Sequence, residues 1–315
     1  MNTLSSKVLS LLVEEAQPLA DNPNFKGWFG SSKVVDSSGN PLRVYHGTTR
    51  DFSEFSRKYG TVENYHGRGF YFTSSPEDMN LNYAGEGPDL RGRIAREAER
   101  IFWAKFEFEE PSYGSEEYEK EMGRAEAIAR RKLAVGRPVS MPVYLRIDNP
   151  VYVGGGDKET WFEFSFKEDR EGNIVGESGS GARLFRVLRR LLGKYTGSYV
   201  ANEEVVDRVL GELREGLGYD RFTATEFERV ARGNADFNYA FENGKGHNAS
   251  SQIIRDVYKT LGFDGIILDA GSTFKRMKGV GGATHFVVFS PNQVKSAIGN
   301  RGTFDPNSRN IRESL

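Results

Sequence analysis

The chain has 315 residues, of which 37% are hydrophobic and 28% are charged, so it is long enough and apolar enough to fold around a core. Its formal net charge of −1 excludes a protein that binds nucleic acid through a global positive charge. The absence of cysteine excludes disulfides, a thiol nucleophile and cysteine-ligated metal sites. No run reaches the roughly 20 apolar residues of a membrane span, and the stretch at 8–13 is too short for a signal peptide. We therefore expect a soluble, intracellular protein.

The first predicted element is an N-terminal amphipathic helix. Apolar residues recur at helical spacing over residues 3–16, and Pro18 ends this pattern within an N-terminal segment that we place at 1–22. We expect the helix to pack on its own domain, and the alternative is a docking helix for a partner. Residues 37–41 have the composition of a turn, so the runs on either side predict a hairpin whose second strand ends at His46.

The middle of the chain predicts a long helical tract followed by strands. Positive and negative charges are interleaved through residues 90–134, which indicates a solvated helical surface rather than a basic stripe. Pro111 breaks this tract. Alternating apolar residues at 142–153 predict a strand that Pro150 interrupts, and residues 161–166 predict another strand.

The second half of the chain predicts helices between strands. Residues 172–181 are rich in glycine and predict a flexible loop. The most strand-like runs are 262–269, which follows a helix capped by Gly262, and 285–289. Strands separated by a large helical region predict an α+β fold rather than alternating βαβ units. The remaining helices are predicted at 182–193, 201–215, 223–232 and 250–261.

His46 is the first candidate functional residue. It ends an apolar run and is followed by Gly47 and Thr48. A lone histidine at a strand end is more often a hydrogen-bonded structural residue than a catalytic one. Here, however, Gly47 permits close backbone approach to a ligand, and Thr48 adds a hydroxyl that can donate or accept a hydrogen bond.

The second candidate segment combines glycines with aromatic residues. Gly67 and Gly69 leave open backbone beside Tyr71. An aromatic patch close to a histidine, with accessible backbone amides, favours a flat heteroaromatic ring held by stacking and hydrogen bonds. The motifs of serine hydrolases, zinc proteases and Rossmann nucleotide-binding proteins are absent. No metal site is expected, because metal-ligand spacing is missing from the four histidines, His46, His66, His247 and His285.

These motifs resemble those of known ADP-ribosyltransferases. His46-Gly47-Thr48, Gly67-x-Gly69-x-Tyr71-Phe72 and Tyr83-Ala84 look like the NAD-binding core of the diphtheria-toxin and poly(ADP-ribose) polymerase type. The full chain resembles more closely the ADP-ribosyltransferase-like domains of phage and mobile-element polyvalent proteins. The further matching segments are Asn24-Phe25-Lys26-Gly27-Trp28-Phe29-Gly30, Pro142-Val143-Tyr144-Leu145, Gly262-Phe263-Asp264-Gly265-Ile266-Ile267 and Val287-Val288-Phe289-x-Pro291-x-Gln293-Val294-Lys295-Ser296-Ala297.

The resemblance also implies an architecture. It implies an α+β fold with split antiparallel β-sheets of the ADP-ribosyltransferase type, in a domain spanning residues 23–310. Residues 155–245, for which we recognise no matching motif, are expected to form a large, mainly helical, variable insertion. The polar tail at 303–315 is expected to extend over the surface.

The resemblance assigns the NAD contacts residue by residue. His46 would hydrogen-bond the ribose hydroxyls of NAD, and the Gly47 backbone would bind the nicotinamide carboxamide. Thr48 would assist at the adenosine ribose. Tyr71 would stack on nicotinamide, and Tyr83 would cover the opposite face of that ring.

Two further positions complete the implied site. Asn80, three residues before Tyr83, would contact the carboxamide. The family commonly has a glutamate at the start of its last strand, but no glutamate occurs between Asn243 and Arg312. The resemblance therefore implies that His285 replaces it in a His-Tyr-His arrangement, a pattern found in family members that transfer single units or are inactive. Gln293 is a weaker alternative.

The sequence thus predicts a mono-ADP-ribosyltransferase of the glycosyltransferase class, with NAD as its substrate and no metal. The alternatives are a catalytically inactive NAD-binding or virion-associated module and an NAD glycohydrolase. The acceptor is expected to be a macromolecule. A protein is favoured, nucleic acid is the alternative, and no membrane partner is expected. The resemblance implies the host cytoplasm as its location, with delivery by a phage virion as a further option.

Overall fold

The computed structural model describes residues 21–48, 51–56, 66–83, 88–106, 111–133, 139–154, 158–195, 202–242, 249–269 and 281–313. The helix predicted at 3–16 lies outside these ranges. Among the described helices, none combines the length and apolar character needed to span a membrane.

Strands and helices are both numerous, as the α+β prediction requires. The strands are β1 (Val44–Thr48), β2 (Phe70–Thr73), β3 (Val139–Leu145), β4 (Pro150–Val153), β5 (Trp161–Glu163), β6 (Ser165–Glu168), β7 (Ile174–Ser178), β8 (Arg221–Thr223), β9 (Gly265–Asp269), β10 (Thr284–Val288) and β11 (Val294–Ser296). The helices are α1 (Pro23–Phe29), the one-turn α2 (Pro76–Asp78), α3 (Pro88–Trp103), α4 (Glu116–Leu133), α5 (Gly179–Leu192), α6 (Glu203–Glu215), α7 (Ala224–Gly233), α8 (Ala235–Tyr239) and α9 (Ser250–Leu261). A π-helical turn, Met79–Tyr83, continues α2.

The central sheet has seven strands in the order β11-β3-β1-β2-β10-β9-β4. All neighbours are antiparallel except β4 and β9, which are parallel. β1 forms five residue pairs with β3, and β2 forms four with β10. β1 and β2 are joined in register only by Tyr45 and Thr73. The sheet therefore consists of two plates, β11-β3-β1 and β2-β10-β9-β4, which separate from one another beyond this pair. This arrangement is compatible with the expected split sheets.

Each face of the sheet has its own core, because successive strand residues point to opposite faces. One core contains Phe70, Phe72 and Phe286. The other contains Val287 together with residues of β4, β5, β8, β9 and helices α5 to α9. Residues 155–245 therefore share a core with the sheet and include strands as well as helices, so a separate helical insertion is not confirmed.

The flexible loop predicted at 172–181 is wrong. These residues form β7, which pairs with β6 in a hairpin, and the first turn of α5. The Asp169 carboxylate closes the hairpin by accepting hydrogen bonds from the backbone N–H groups of Glu171 and Asn173. Glycine is needed at Gly179 because a Cβ there would lie 2.4 Å from the Glu163 carbonyl oxygen.

The other local predictions are largely confirmed. The tract at 90–134 is two helices, α3 and α4, with Pro111 between them. The strand at 142–153 is β3 and β4, separated before Pro150. Gly262 ends α9 in the left-handed region, with φ of 102°.

The C-terminal segment is anchored to the sheet. Lys295 on β11 is fully buried, donates to the Ser308 carbonyl oxygen at 3.0 Å and pairs with Glu313. Arg312 pairs with Asp51, and the Ile311 N–H donates to the Ser53 carbonyl oxygen at 2.7 Å. The chain's last described residues therefore hold the segment 51–56, which follows β1.

Candidate active site

His46 lies at the line where the two plates part. It is on β1, and its Nδ1 is 2.9 Å from the Tyr71 carbonyl oxygen on β2. Because a carbonyl oxygen only accepts, Nδ1 carries the proton, and Nε2 is the acceptor in the neutral ring. The imidazole is surrounded by three phenylalanine rings with centroids 5.0–6.1 Å from its own: Phe52, Phe55 and Phe72.

The Tyr71 side chain points to the opposite face of β2 from Phe72. It is half-buried, and its hydroxyl donates to the Gly67 carbonyl oxygen at 2.6 Å. Burial, followed by the nearby negative charge of Glu228, raises the pKa of the Tyr71 hydroxyl well above its ordinary value. The phenol is therefore neutral, and its ring is held beside the Gly67 turn.

The two glycines before Tyr71 are required for packing. Gly67 has φ of +91°, and a Cβ there would lie 3.2 Å from the Arg255 backbone nitrogen. A Cβ on Gly69 would lie 2.4 Å from Val287 Cγ1. The interpretation that both glycines leave open backbone for a ligand is wrong, because α9 and β10 occupy the space that a side chain would need.

The π-helical turn places Tyr83 against β10. The rings of Tyr83 and His285 meet edge to face, with centroids 5.8 Å apart. Asn80, assigned a carboxamide contact by resemblance, is exposed on this turn. Asn82 points inward instead, is 3% exposed, and donates from its side-chain nitrogen to Asp78 Oδ1 at 2.7 Å. Asn82 is a site neighbour that the sequence reasoning missed.

His285 and Asp78 form a buried pair. His285 is on β10, where it pairs with Thr73 of β2, and its Nε2 is 2.6 Å from Asp78 Oδ2. Asp78 is completely buried. Burial alone would raise the pKa of this carboxyl group, but hydrogen bonds from His285, Thr73 and Asn82 outweigh burial and hold the pKa below its ordinary value. Asp78 is therefore a carboxylate, and sequence reasoning did not find it.

A second buried histidine–carboxylate pair lies behind Tyr71. His66 Nδ1 is 2.6 Å from Glu228 Oε2, and both side chains are almost fully buried. The Tyr258 hydroxyl donates to Glu228 Oε1 at 3.0 Å. This pair joins the Gly67 turn to helices α7 and α9.

The strand register shows which candidate residues share a face. Tyr71 pairs with Val287 on β10, so His285, two residues earlier, is its diagonal neighbour on the same face. The His46 ring lies among the phenylalanines of the opposite face. Gly47 and Thr48 follow His46 on β1, where they pair with Ser140 and Val139 of β3. The predicted residues thus flank the parting from both plates.

Gln293 lies away from this arrangement and has a structural role. Its side-chain oxygen accepts from the backbone N–H groups of Phe289 and Ser290. Its side-chain nitrogen donates to the carbonyl oxygens of Arg146 and Asp264. All of its hydrogen-bonding capacity is used to fix the turn after β10.

The comparison with protein families decides the classification. A model of the family described as ADP-ribosyltransferase in polyvalent proteins matches residues 36–95 and 124–304, which is most of the chain. The chain belongs to this family. ADP-ribosyltransferase domains use NAD as their substrate, and no group of three His, Asp or Glu residues within the described ranges could hold a metal ion.

The extent of the match bears on the candidate residues. The motif residues named above lie within the matched ranges, except the segment 24–30, which precedes the first range. Asp78 and Glu228 also lie within the matched ranges. The second range also includes residues 155–245, for which the motifs gave no resemblance. The interval between the ranges, 96–123, covers the end of α3 and the start of α4. No curated protein and no solved structure matches the chain significantly.

Proposed function

We propose that this family member is a mono-ADP-ribosyltransferase, which cleaves the nicotinamide–ribose bond of NAD and transfers ADP-ribose to a macromolecular acceptor, a protein in the first instance. The observation that carries the proposal is the parting of β1 from β2 at the Tyr45–Thr73 pair, with His46 on one strand and Tyr71 on the other. Such a parting in a sheet exposes backbone groups beside aromatic rings, which suits a flat ring joined to a polar ribose.

NAD binding divides between the two plates. On β1, His46 presents Nε2 as an acceptor for a ribose hydroxyl, because Nδ1 donates to the Tyr71 carbonyl oxygen. The Gly47 backbone binds the carboxamide, and Thr48 assists at the adenosine ribose. On the other plate, Tyr71 and Tyr83 hold the nicotinamide, which is cationic in NAD and is therefore attracted to aromatic faces.

The reaction separates charge at the ribose. The bond from C1′ to the nicotinamide nitrogen breaks and its electron pair leaves with the ring, so nicotinamide becomes neutral and the ribose becomes an oxocarbenium-like cation. A nucleophilic atom of the acceptor then forms the new bond to C1′ and loses its proton to solvent. A negative charge and hydrogen-bond acceptors fixed near the ribose stabilise this transition state.

The residue on β10 bears on the size of the product. His285 occupies the position where the resemblance implies a glutamate, so the transfer of single ADP-ribose units, rather than chain elongation, is proposed. The glycohydrolase remains the second candidate, since water could attack the same cation. An inactive NAD-binding module is the third.

Replacing His46 tests the function. His46→Ala removes the ribose contact, and we expect labelling of host-lysate macromolecules by tagged NAD to fall by at least about 100-fold, a loss of about 2.7 kcal/mol in transition-state stabilisation. Labelling is measured by gel fluorescence and acceptors are identified by mass spectrometry. Tyr113→Ala is the control, because Tyr113 is 90% exposed and its ring contacts Tyr118 of α4.

The outcomes separate the three candidates. Equal labelling by the wild type and the folded His46→Ala variant contradicts the assignment of His46. Release of nicotinamide without any labelled acceptor identifies a glycohydrolase. Calorimetry that shows NAD binding without turnover identifies the inactive module, and an absence of binding at millimolar NAD contradicts all three.

A further inference from the structure

The structure places a buried carboxylate, Asp78, in direct contact with His285, the residue that stands where the resemblance implies a glutamate. Asp78 is 0% exposed, yet it lies in a one-turn helix between β2 and the π-helical turn rather than in an apolar core. Burying a carboxylate is costly unless it is fully hydrogen-bonded. Three side chains from three elements meet this requirement: Thr73, Asn82 and His285.

Asp78 has no role as a helix cap that would explain its burial. The cap of α2 is Ser75, whose hydroxyl accepts from the Asp78 backbone N–H at 3.1 Å. The Asp78 side chain points instead at β10. Its Oδ2 and His285 Nε2 are 2.6 Å apart, the length of a charge-assisted hydrogen bond.

The contact fixes the chemistry of the imidazole. Because an ionised carboxylate only accepts, Nε2 of His285 carries the proton, and Nδ1 is the acceptor when the ring is neutral. The neutral ring and Asp78 together carry one negative charge. Such a pair has the two properties that a transferase needs beside the ribose, which are a hydrogen-bond acceptor for a hydroxyl and a negative charge behind it.

We infer that Asp78 is the positioning residue of the transfer reaction. It orients His285 through Nε2, so that the imidazole and the Asp78 carboxylate together do the work of a single carboxylate beside the ribose. The imidazole of His285 accepts from the ribose hydroxyl, and Asp78 supplies the negative charge that opposes the developing cation. Asn82 and Thr73 keep Asp78 ionised and aimed at β10. This inference rests on the proposed function. It adds Asp78 as the source of the negative charge that no residue of β10 provides.

The test uses the full chain with NAD, and it measures nicotinamide release and NAD affinity separately. Asp78→Asn keeps the shape of the side chain but removes its charge. We expect kcat to fall roughly 100-fold, as on loss of one preorganised electrostatic contact, with the calorimetric Kd for NAD changed by less than about threefold. A merely structural role would lower the melting temperature and affect kcat and Kd together.

A charge exchange provides the second variant. His285→Glu alone places two carboxylates side by side in a buried position, so it is expected to be poorly active. In the double variant Asp78→Asn with His285→Glu, the introduced amide can donate to the introduced carboxylate. We expect the double variant to exceed either single variant in kcat by at least about tenfold, a non-additivity that a cycle of this kind measures directly.

The outcomes distinguish this inference from the function on which it rests. If the wild type releases no nicotinamide and labels no acceptor, the proposed function is overturned. If the wild type is active and folded Asp78→Asn is equally active, the inference alone is overturned. Should Asp78→Asn fail to fold, the double variant decides: recovery of activity supports the inference, and a folded double variant that binds NAD but is inactive overturns it.

Discussion

Two buried histidine–carboxylate pairs occur within the described part of the chain, and they have nearly the same internal geometry. Asp78–His285 and Glu228–His66 each have a nitrogen–oxygen distance of 2.6 Å, and all four residues are at most 4% exposed. Burial and pairing alone therefore do not mark a functional group. The two pairs differ in the residues and elements that hold each carboxylate in place.

The supports point to different roles. Glu228 lies on α7 and is held by Tyr258 of α9, beside the core that helices α5 to α9 share with one face of the sheet. Asp78 is held by a strand residue and by a π-helical turn that packs against β1, the strand that carries His46. We expect a pair that joins two helices beside this shared core to stabilise the fold. A pair at the parting of the sheet can act on a ligand, so activity and stability should respond separately to the two.

The largest expected effect on stability comes from Glu228. Glu228→Ala leaves His66 and the Tyr258 hydroxyl buried without their carboxylate, and we expect the free energy of unfolding to fall by about 3–5 kcal/mol. Urea denaturation measures it. Glu228→Gln, which keeps the shape and an acceptor oxygen, should lose less. If folded Glu228→Gln lost kcat while retaining its stability, the division of roles between the pairs would be contradicted.

Removing the hydroxyl group that donates to each carboxylate sharpens the comparison. Tyr258→Phe deletes a donor to Glu228, and Thr73→Val deletes a donor to Asp78. Each should lower the free energy of unfolding by about 1.5–3 kcal/mol, the range for hydrogen bonds to charged groups. Nicotinamide release should fall only in Thr73→Val. Matched losses of activity in both variants would show that the two pairs act together.

The smallest expected effect concerns Glu97 on α3, a partly buried carboxylate that pairs with two exposed cations, Arg100 and Lys132. Hydrogen bonding to Arg100, joined by Lys132 across the α3–α4 contact, lowers the pKa of Glu97 to about 2. Since ion pairs with solvent-exposed cations contribute little, Glu97→Gln should cost only about 0.5 kcal/mol at pH 7.

The sign of its pH dependence follows from the lowered pKa. The unfolded chain has an ordinary glutamate pKa of about 4.3, so the stabilisation by Glu97 is complete above that pH and is lost as the pH falls towards 2. Wild type and Glu97→Gln should therefore converge in melting temperature on acidification. Glu126→Gln, whose ion pair with Arg130 is more exposed, is the control, with a smaller difference at pH 7.

Much of the fold could be predicted from the sequence because it rests on local patterns. The helices α3 to α7 and α9 overlap tracts that the sequence predicts to be helical, and Gly262 marks the end of α9. The five-residue helix α8 was not predicted. The flexible loop predicted at 172–181 was wrong because glycine composition does not reveal a hairpin whose turn is closed by Asp169. The single register pair between β1 and β2 is a non-local feature that periodicity does not encode.

The site was predictable in its motifs but not in its carboxylates. His46, Tyr71 and Tyr83 stand in short recognisable motifs. Asp78 lies in a polar stretch that reads as surface, and only the fold brings it to His285. Glu228 did leave a signal, because it adjoins Phe227 at a position where the helical repeat of α7 requires an apolar residue.

The C-terminal anchor has a consequence for the order in which the molecule is made. The segment 51–56 carries Phe52 and Phe55, which enclose His46, and it is fastened by Ile311 and Arg312 near the end of the chain. Translation proceeds from the N-terminus, and early segments fold before late ones exist. A nascent chain therefore contains His46 and its neighbours Phe52 and Phe55 long before it contains the residues that anchor the segment 51–56. The ribosome must therefore have made residues 311 and 312 before the segment 51–56 can be anchored beside His46.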